Sequence, residues 1–149
     1  MADIAITQAE ADALIEMEKR FVDDTDWTFP AAGSRISLAL TSRDKRENFM
    51  FDVTRAQIVL TKATYQNRAR QAIVLMRLDL DGPPHRNPDG TEIPCPHLHI
   101  YKEGLGVKYA IPAPVERYSN PLDLFSTCEA FMQHCNITGP STMQKGLFS

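Results

Sequence analysis

The chain has 149 residues, of which 43% are hydrophobic and 23% charged, and its formal net charge is −3. This length fits one ordinary domain with a single core, and the composition is that of a globular protein. The negative net charge argues against a protein that coats nucleic acid indiscriminately, because such binding depends on many phosphate contacts. No apolar run approaches the ~20 residues that span a bilayer, and the N-terminus lacks a secretory signal, so we expect a cytoplasmic protein without membrane contact.

The first predicted element is a helix near the N-terminus. Thr7 and Glu10 match the capping box, in which each side chain accepts a hydrogen bond from a free backbone N–H group of the other residue. Apolar residues then recur at helical spacing as far as about Val22. A cluster of acidic residues at 23–26 ends this pattern, so the sequence predicts a helix that runs to about Val22.

Predicted strands follow this helix. Apolar and polar residues alternate on both sides of a polar turn between residues 35 and 54, which predicts a hairpin. Further strands are expected at about 58–65 and 72–80. The second of these is apolar on both sides at its start and carries Arg77 and Asp79 on one side at its end. That pattern suits a strand that leaves the core for a site.

The strand expected after the next, turn-rich loop is the most informative segment, because it contains two histidines two residues apart. Successive side chains of a strand point to opposite faces, so His97, His99 and Tyr101 are expected to share one face. The loop before this strand adds His85 and Arg86. The sequence therefore predicts a cluster of imidazole and guanidinium groups.

A strand over 107–111 and a C-terminal helix complete the predicted domain. Pro121 suits the first helical position, and apolar residues then form one buried stripe as far as Cys135. The tail over 138–149 is expected to be mobile. The sequence thus predicts a single α+β domain over 1–137, with an antiparallel sheet of about six strands and both helices packed on one face.

A metal site is the first kind of chemistry that the histidine pair could support. It would need a third ligand, which His85, Asp79 or Cys95 could supply, with one coordination position left open. No further histidine or acidic ligand follows the pair at a recognisable spacing, and Arg77 and Arg86 would add positive charge beside a cation. The sequence therefore favours a site without a metal or another cofactor.

Cleavage of RNA by its own 2′-hydroxyl is the second kind. This reaction needs a base, an acid and groups that stabilise the developing phosphorane charge. Because the pKa of an unperturbed histidine is about 6.5, two imidazoles can take opposite roles at neutral pH. We predict that His97 and His99 are the acid and the base, in an order the sequence leaves open, and that His85, Arg77 and Tyr101 complete the catalytic set.

The remaining polar residues near this segment are predicted to bind the substrate. An arginine fits a phosphate through its bidentate fork, and a tyrosine can donate a hydrogen bond or stack on a base. The predicted substrate-binding residues are Arg86, Lys102, Asp79 and Tyr65.

The order of these motifs resembles that in a known family. The three motifs are Arg77-Leu78-Asp79, Pro84-His85-Arg86-Asn87 and Pro96-His97-Leu98-His99, and they resemble the R-x-D, P-H-H and P-H-H-x-H motifs of TumE-type toxins from bacterial toxin–antitoxin pairs. Those toxins look related to small RNases of RelE and EndoU type. The resemblance implies RNA cleavage by histidine, arginine and tyrosine side chains on a sheet, with an antitoxin as partner. It covers residues 77–101, and Arg86 and Leu98 depart from the pattern.

Other functions stay open alongside a metal-independent endoribonuclease. One is a metal-dependent enzyme that uses the His-x-His pair. Another is a non-catalytic phage or mobile-element protein that binds a second protein, as an antitoxin partner or a defence inhibitor. The PHLHIYKEG stretch also resembles an uncharacterised bacterial and phage family, which implies no activity. The expected partners are RNA, a cognate antitoxin and a second copy of the chain.

Overall fold

The structure, a computed structural model, describes residues 5–146. Its helices are α1 (Gln8–Glu16) and α2 (Leu124–His134). In chain order the strands are β1 (Lys19–Phe21), β2 (Trp27–Thr28), β3 (Arg35–Ser42), β4 (Asn48–Arg55), β5 (Ala63–Ala69), β6 (Ile73–Leu80), β7 (His85–Arg86), β8 (Glu92–Ile93), β9 (His97–Ile100), β10 (Ala110–Pro112), β11 (Ile137–Thr138) and β12 (Met143–Gln144). Neither helix of this described part has the length and hydrophobicity of a membrane span.

Eight strands form one large sheet in the order β10-β9-β6-β5-β4-β3-β1-β11. Neighbouring strands are antiparallel except for β1 and β11, which are parallel. Two small sheets pair β2 with β12 and β7 with β8. The α+β class is confirmed, whereas the prediction of six purely antiparallel strands was wrong. The difference arises mainly at one edge of the sheet, where β1 and β11 are added.

One core lies between the sheet and the helices. In α2, Phe131 stacks on Phe51 of β4, with ring centroids 6.0 Å apart. The buried residues of α1 are Ala11 and Leu14, and they belong to the same hydrophobic cluster. This packing leaves the opposite side of the central strands for polar residues such as Asp52, whose carboxylate binds a neighbouring arginine.

The pairing of β6 with its two neighbours positions the polar residues of interest. Asp79 lies opposite Thr64 of β5 and opposite His97 of β9. Two residues earlier, Arg77 lies opposite His99 of β9. Because residues in register on neighbouring strands point to the same face, this pairing gathers their side chains on one side of the sheet.

The first helix ends earlier than its apolar spacing predicts. The capping box of Thr7 and Glu10 is present, but α1 ends at Glu16, and Met17 has an extended ψ of 133°. Lys19–Phe21 forms β1, in which buried and exposed residues alternate. The predicted extension to about Val22 was wrong. Three residues are too few to tell the alternating pattern of a strand from one turn of a helix, and pairing with β3 makes this segment a strand.

Three further boundaries differ from those predicted, and one of them is the strand expected over 107–111, which is β10 at Ala110–Pro112. The strand expected over 58–65 is β5, which begins at Ala63, and Ile58 is 88% exposed in the preceding loop. The described residues of the predicted mobile tail are packed on the domain: Thr138 belongs to β11, and β12 pairs with β2. Residues 147–149 of that tail, and residues 1–4 of the predicted domain, lie outside the described residues.

Candidate histidine site

Three residues converge on one carboxylate oxygen at the β6–β9 pair. Oδ2 of Asp79 lies 3.0 Å from Nε2 of His97 and 3.2 Å from Nε2 of His99. Nη2 of Arg77 lies 3.2 Å from the same oxygen and 3.1 Å from Nε2 of His99. The other oxygen of Asp79 accepts a hydrogen bond of 3.1 Å from the Thr64 hydroxyl. The carboxylate is thereby fixed in one orientation.

Hydrogen bonds at the far side of each ring determine where its proton lies. A carbonyl oxygen only accepts, so Nδ1 of His99 donates to the Val107 carbonyl at 2.7 Å, and Nε2 of His85 donates to the Lys108 carbonyl at 2.7 Å. The His85 ring packs edge-on against the His99 ring, with centroids 4.6 Å apart. The segment before β10 thus holds two of the three rings by its backbone.

The protonation state of the Asp79–His97 pair follows from its surroundings. Burial raises the pKa of Asp79, but the neighbouring His99 and the charge of Arg77 outweigh it and hold that pKa well below its usual range. Burial lowers the pKa of His97, and the opposing charge of Asp79 does not restore it. At neutral pH an ionised carboxylate therefore faces a neutral imidazole.

A cavity of about 270 Å³ opens beside this cluster. His99 is fully buried and does not line it, whereas His97, 4% exposed overall, does. Sγ of Cys95 lies 3.5 Å from Nδ1 of His97 at the cavity wall. Burial raises the pKa of the Cys95 thiol, and the charges of Asp79 and Asp81 act in the same direction. The polar side chains of the lining belong to Lys62, Thr64, Asp79, Asp81, His85, Cys95 and His97.

Residues 6–137 match a protein family of unknown function, DUF6978. The chain belongs to the DUF6978 family. Comparison with curated proteins found no match, and comparison with solved structures found none either. The family assignment therefore covers nearly all of the folded chain and assigns no activity.

This DUF6978 domain brings together most of the predicted catalytic residues. His85, His97 and His99 have ring centroids 4.6 to 5.8 Å apart, and Arg77 and Asp79 contact the rings directly. Tyr101 does not reach them. Its hydroxyl donates to the Ile6 carbonyl and accepts from the Ile6 N–H group instead. Since β9 ends at Ile100, the alternation that was expected to place Tyr101 beside the histidines does not extend to it.

The other predicted substrate-binding residues lie apart from the cluster. Tyr65 is fully buried on the core side of β5, where its hydroxyl donates to the Leu124 carbonyl. Arg86 forms an exposed ion pair with Glu92 across β7 and β8. The Lys102 ammonium lies over the Tyr109 ring, 5.2 Å from its centroid. Of the four residues predicted to bind substrate, Asp79 is the one that this DUF6978 domain places among the histidines.

Sequence reasoning missed three polar residues of the cavity in this DUF6978 domain. Thr64 binds Asp79, and Lys62 and Asp81 lie at the cavity wall. The alternating pattern of β5 was the available signal, but the predicted start of that strand was several residues too early. Its register against β6, which puts Thr64 opposite Asp79, could not be derived without that boundary.

Proposed function

We propose that the protein is a metal-independent endoribonuclease in which His97 is the general base. The observation that carries this proposal is the 3.0 Å contact between Nε2 of His97 and the Asp79 carboxylate. An ionised carboxylate only accepts, so Nε2 holds the ring proton and Nδ1 keeps a lone pair. Asp79 thus acts on His97 as an orienting carboxylate does in hydrolytic triads. A neutral ring with a lone pair beside the cavity is what a base for the 2′-hydroxyl needs.

His85, rather than His99, is the general acid in this proposal. His99 is fully buried and makes hydrogen bonds through both nitrogens, so it is a positioning residue for Asp79 and Arg77. His85 lines the cavity, and its ring centroid is 5.8 Å from that of His97. Because Nε2 of His85 donates to the Lys108 carbonyl, the acid has to be the doubly protonated ring, in which Nδ1–H delivers the proton.

Two cations near the cavity suit a phosphodiester. Lys62 contributes an ammonium to the lining, whereas Arg77 does not line the cavity but contacts the lining carboxylate of Asp79, with its own side chain 31% exposed. The carboxylates of Asp79 and Asp81 oppose these charges, so binding relies on positioned donors more than on a broad positive field. This fits a chain with a net charge of −3.

The reaction moves one proton at each end of the attacked phosphorus. The 2′-oxygen attacks phosphorus while its proton passes to Nδ1 of His97. The bond from phosphorus to the 5′-oxygen breaks, and that oxygen takes a proton from His85. The products are a 2′,3′-cyclic phosphate and a free 5′-hydroxyl. Lys62 and Arg77 stabilise the charge that develops on the nonbridging oxygens.

We further propose that this ribonuclease acts in the cytoplasm as the toxin of a toxin–antitoxin pair. Apolar side chains beside the cavity support a protein partner. Leu122 and Cys95 line an adjoining cavity of about 350 Å³, and Leu122 is 72% exposed. Leu60, next to the lining residue Thr61, is 62% exposed. An antitoxin that covered these side chains would also close the entrance of the cavity beside His97. Binding of a second copy of the chain stays a prediction.

A thiol enzyme is the second candidate, because Cys95 lies 3.5 Å from the base nitrogen of His97. In that function the sulfur would be the nucleophile in acyl transfer, with His97 as its base and Asp79 as the orienting carboxylate. The raised pKa of Cys95 disfavours the thiolate that such a reaction needs. RNA cleavage needs no thiol, so replacement of Cys95 distinguishes the two candidate functions.

Incubation of the purified protein with RNA in the presence of a chelator tests the proposal. We expect cleavage that leaves 2′,3′-cyclic phosphate ends, and we expect the Cys95→Ala variant to cleave at a rate similar to that of the wild type. An inactive wild-type protein would contradict the proposal. Loss of RNA cleavage in Cys95→Ala would contradict a mechanism that needs no thiol, whereas hydrolysis of an activated acyl ester that Cys95→Ala abolishes would favour the thiol enzyme.

A further inference from the structure

We propose that the same cluster binds a divalent transition-metal ion such as Zn²⁺, and that the bound ion switches the proposed ribonuclease off. The ligand atoms are Oδ2 of Asp79 and Nε2 of both His97 and His99. The oxygen is 3.0 and 3.2 Å from the two nitrogens, and the three residues can each place one ligand atom within 4.8 Å of the others. Bonds of about 2.0–2.2 Å to one ion at tetrahedral angles place neighbouring ligand atoms roughly 3.3–3.6 Å apart. The carboxylate–histidine spacings are within a few tenths of an ångström of that range, so small side-chain adjustments suffice.

Hydrogen bonds to neighbouring residues orient two of the ligands, His99 and Asp79, in the way that metal ligands are usually oriented. Nδ1 of His99 donates to the Val107 carbonyl, which turns the lone pair of Nε2 towards the cluster. The Thr64 hydroxyl binds Oδ1 of Asp79 and leaves Oδ2 facing the histidines. Hydrogen bonds of this kind fix the ring orientation and the basicity of metal ligands. His99 is fully buried, so its orientation is not averaged by solvent.

The ligand set selects a transition metal over Mg²⁺ or Ca²⁺. Two imidazole nitrogens and one carboxylate suit Zn²⁺ and the other later divalent metals, whereas Mg²⁺ and Ca²⁺ prefer oxygen ligands. Three protein ligands leave a coordination position that faces the cavity through His97 and Asp79.

A metal ion at the cluster and the hydrogen bonds of Arg77 to the ligand atoms exclude each other. Nη2 of Arg77 lies 3.2 Å from Oδ2 of Asp79 and 3.1 Å from Nε2 of His99, so it contacts two of the three ligand atoms. A metal ion at the cluster would repel this guanidinium. The Arg77 side chain is 31% exposed and can turn towards solvent. Without metal, Arg77 supplies the positive charge that the buried carboxylate requires.

Metal binding would change the ring nitrogen on which His97 carries its proton. This step rests on the proposed function. A metal bound to Nε2 displaces the proton from that nitrogen, so the neutral ring carries its proton on Nδ1 instead. Nδ1 then has no lone pair for the 2′-hydroxyl. The ion therefore inhibits cleavage without contacting RNA.

Calorimetric titration of the chelator-treated full chain with Zn²⁺ alone tests the site. We expect one ion per chain, and we expect His99→Ala to weaken binding at least about tenfold. The control is His134→Ala, which removes the histidine that binds Tyr118 away from the cluster and should bind Zn²⁺ like the wild type. Because His99→Ala alters a buried position, Arg77→Gln provides a second variant. It should bind Zn²⁺ about tenfold more tightly, since a competing positive charge is removed.

Two measurements separate this inference from the proposed function. If the wild type does not bind Zn²⁺, or if His134→Ala weakens binding as much as His99→Ala does, the metal site is refuted whatever the cleavage assay gives. If Zn²⁺ binds as expected but accelerates cleavage, the inhibitory role is refuted. A protein that binds one Zn²⁺ and cleaves no RNA under any condition would refute the proposed function and support the metal site.

Discussion

Replacement of His97 by alanine is expected to lower the rate of RNA cleavage about 10²–10⁴-fold, the range attributed to a general base. The variant loses the nitrogen that accepts the 2′-hydroxyl proton. Its domain should stay folded, because Arg77 and Thr64 still bind the Asp79 carboxylate. The measurement is the initial rate on a labelled RNA at neutral pH with chelator present.

His134→Ala is the matched control for this variant. His134 is a partly buried histidine whose Nδ1 hydrogen-bonds the Tyr118 hydroxyl, and burial lowers its pKa to about 4. It does not line the cavity beside His97. We expect it to cleave RNA like the wild type. Equal rates for wild type and His97→Ala would show that His97 is not the base.

Replacement of Lys19 by methionine is expected to lower the free energy of unfolding by about 3 kcal/mol. The Lys19 ammonium is fully buried and donates to the carbonyls of Ile15, Met17 and Cys135 at 2.7 to 2.9 Å. These carbonyls belong to the C-terminal ends of α1 and α2. Methionine fills a similar volume but leaves all three acceptors buried without this donor, which costs more than the desolvation of the ammonium regains.

Arg20→Met is the control for Lys19→Met, because Arg20 is the exposed neighbour on the opposite face of β1. An exposed substitution of this kind changes stability by about 0.5 kcal/mol or less. Urea unfolding of both variants measures the difference. If the two variants unfolded at the same urea concentration, the ammonium would not be joining the two helix ends.

Local patterns predicted the elements that depend on local chemistry. The capping box of Thr7 and Glu10 starts α1 where expected, and the apolar stripe predicted α2, although α2 begins at Leu124 with Asp123 as its cap and not at Pro121. Alternation on β9 correctly placed His97 and His99 on one face, beside Arg77 and Asp79. Each of these features is determined by residues within one element or by one pair of strands.

Features that depend on distant residues were not predictable from local patterns. Lys19 is buried because carbonyls from α1 and α2 surround its ammonium, and Cys135 lies 116 residues away. His99 is a positioning residue because it is buried and hydrogen-bonded to the backbone of Val107, which lies in a later segment than β9. Thr64 reaches Asp79 through a register that the hydrophobic pattern leaves open. Sequence periodicity contains none of this information.

The protonation of the His97 ring tests the central claim most directly. Nitrogen-15 NMR of the imidazole groups, recorded on the metal-free protein at neutral pH, distinguishes a nitrogen that carries a proton from one that carries a lone pair. We predict a protonated Nε2, bound to Asp79, and an unprotonated Nδ1 in His97. A proton on Nδ1 with a bare Nε2 would contradict the assignment of His97 as the base.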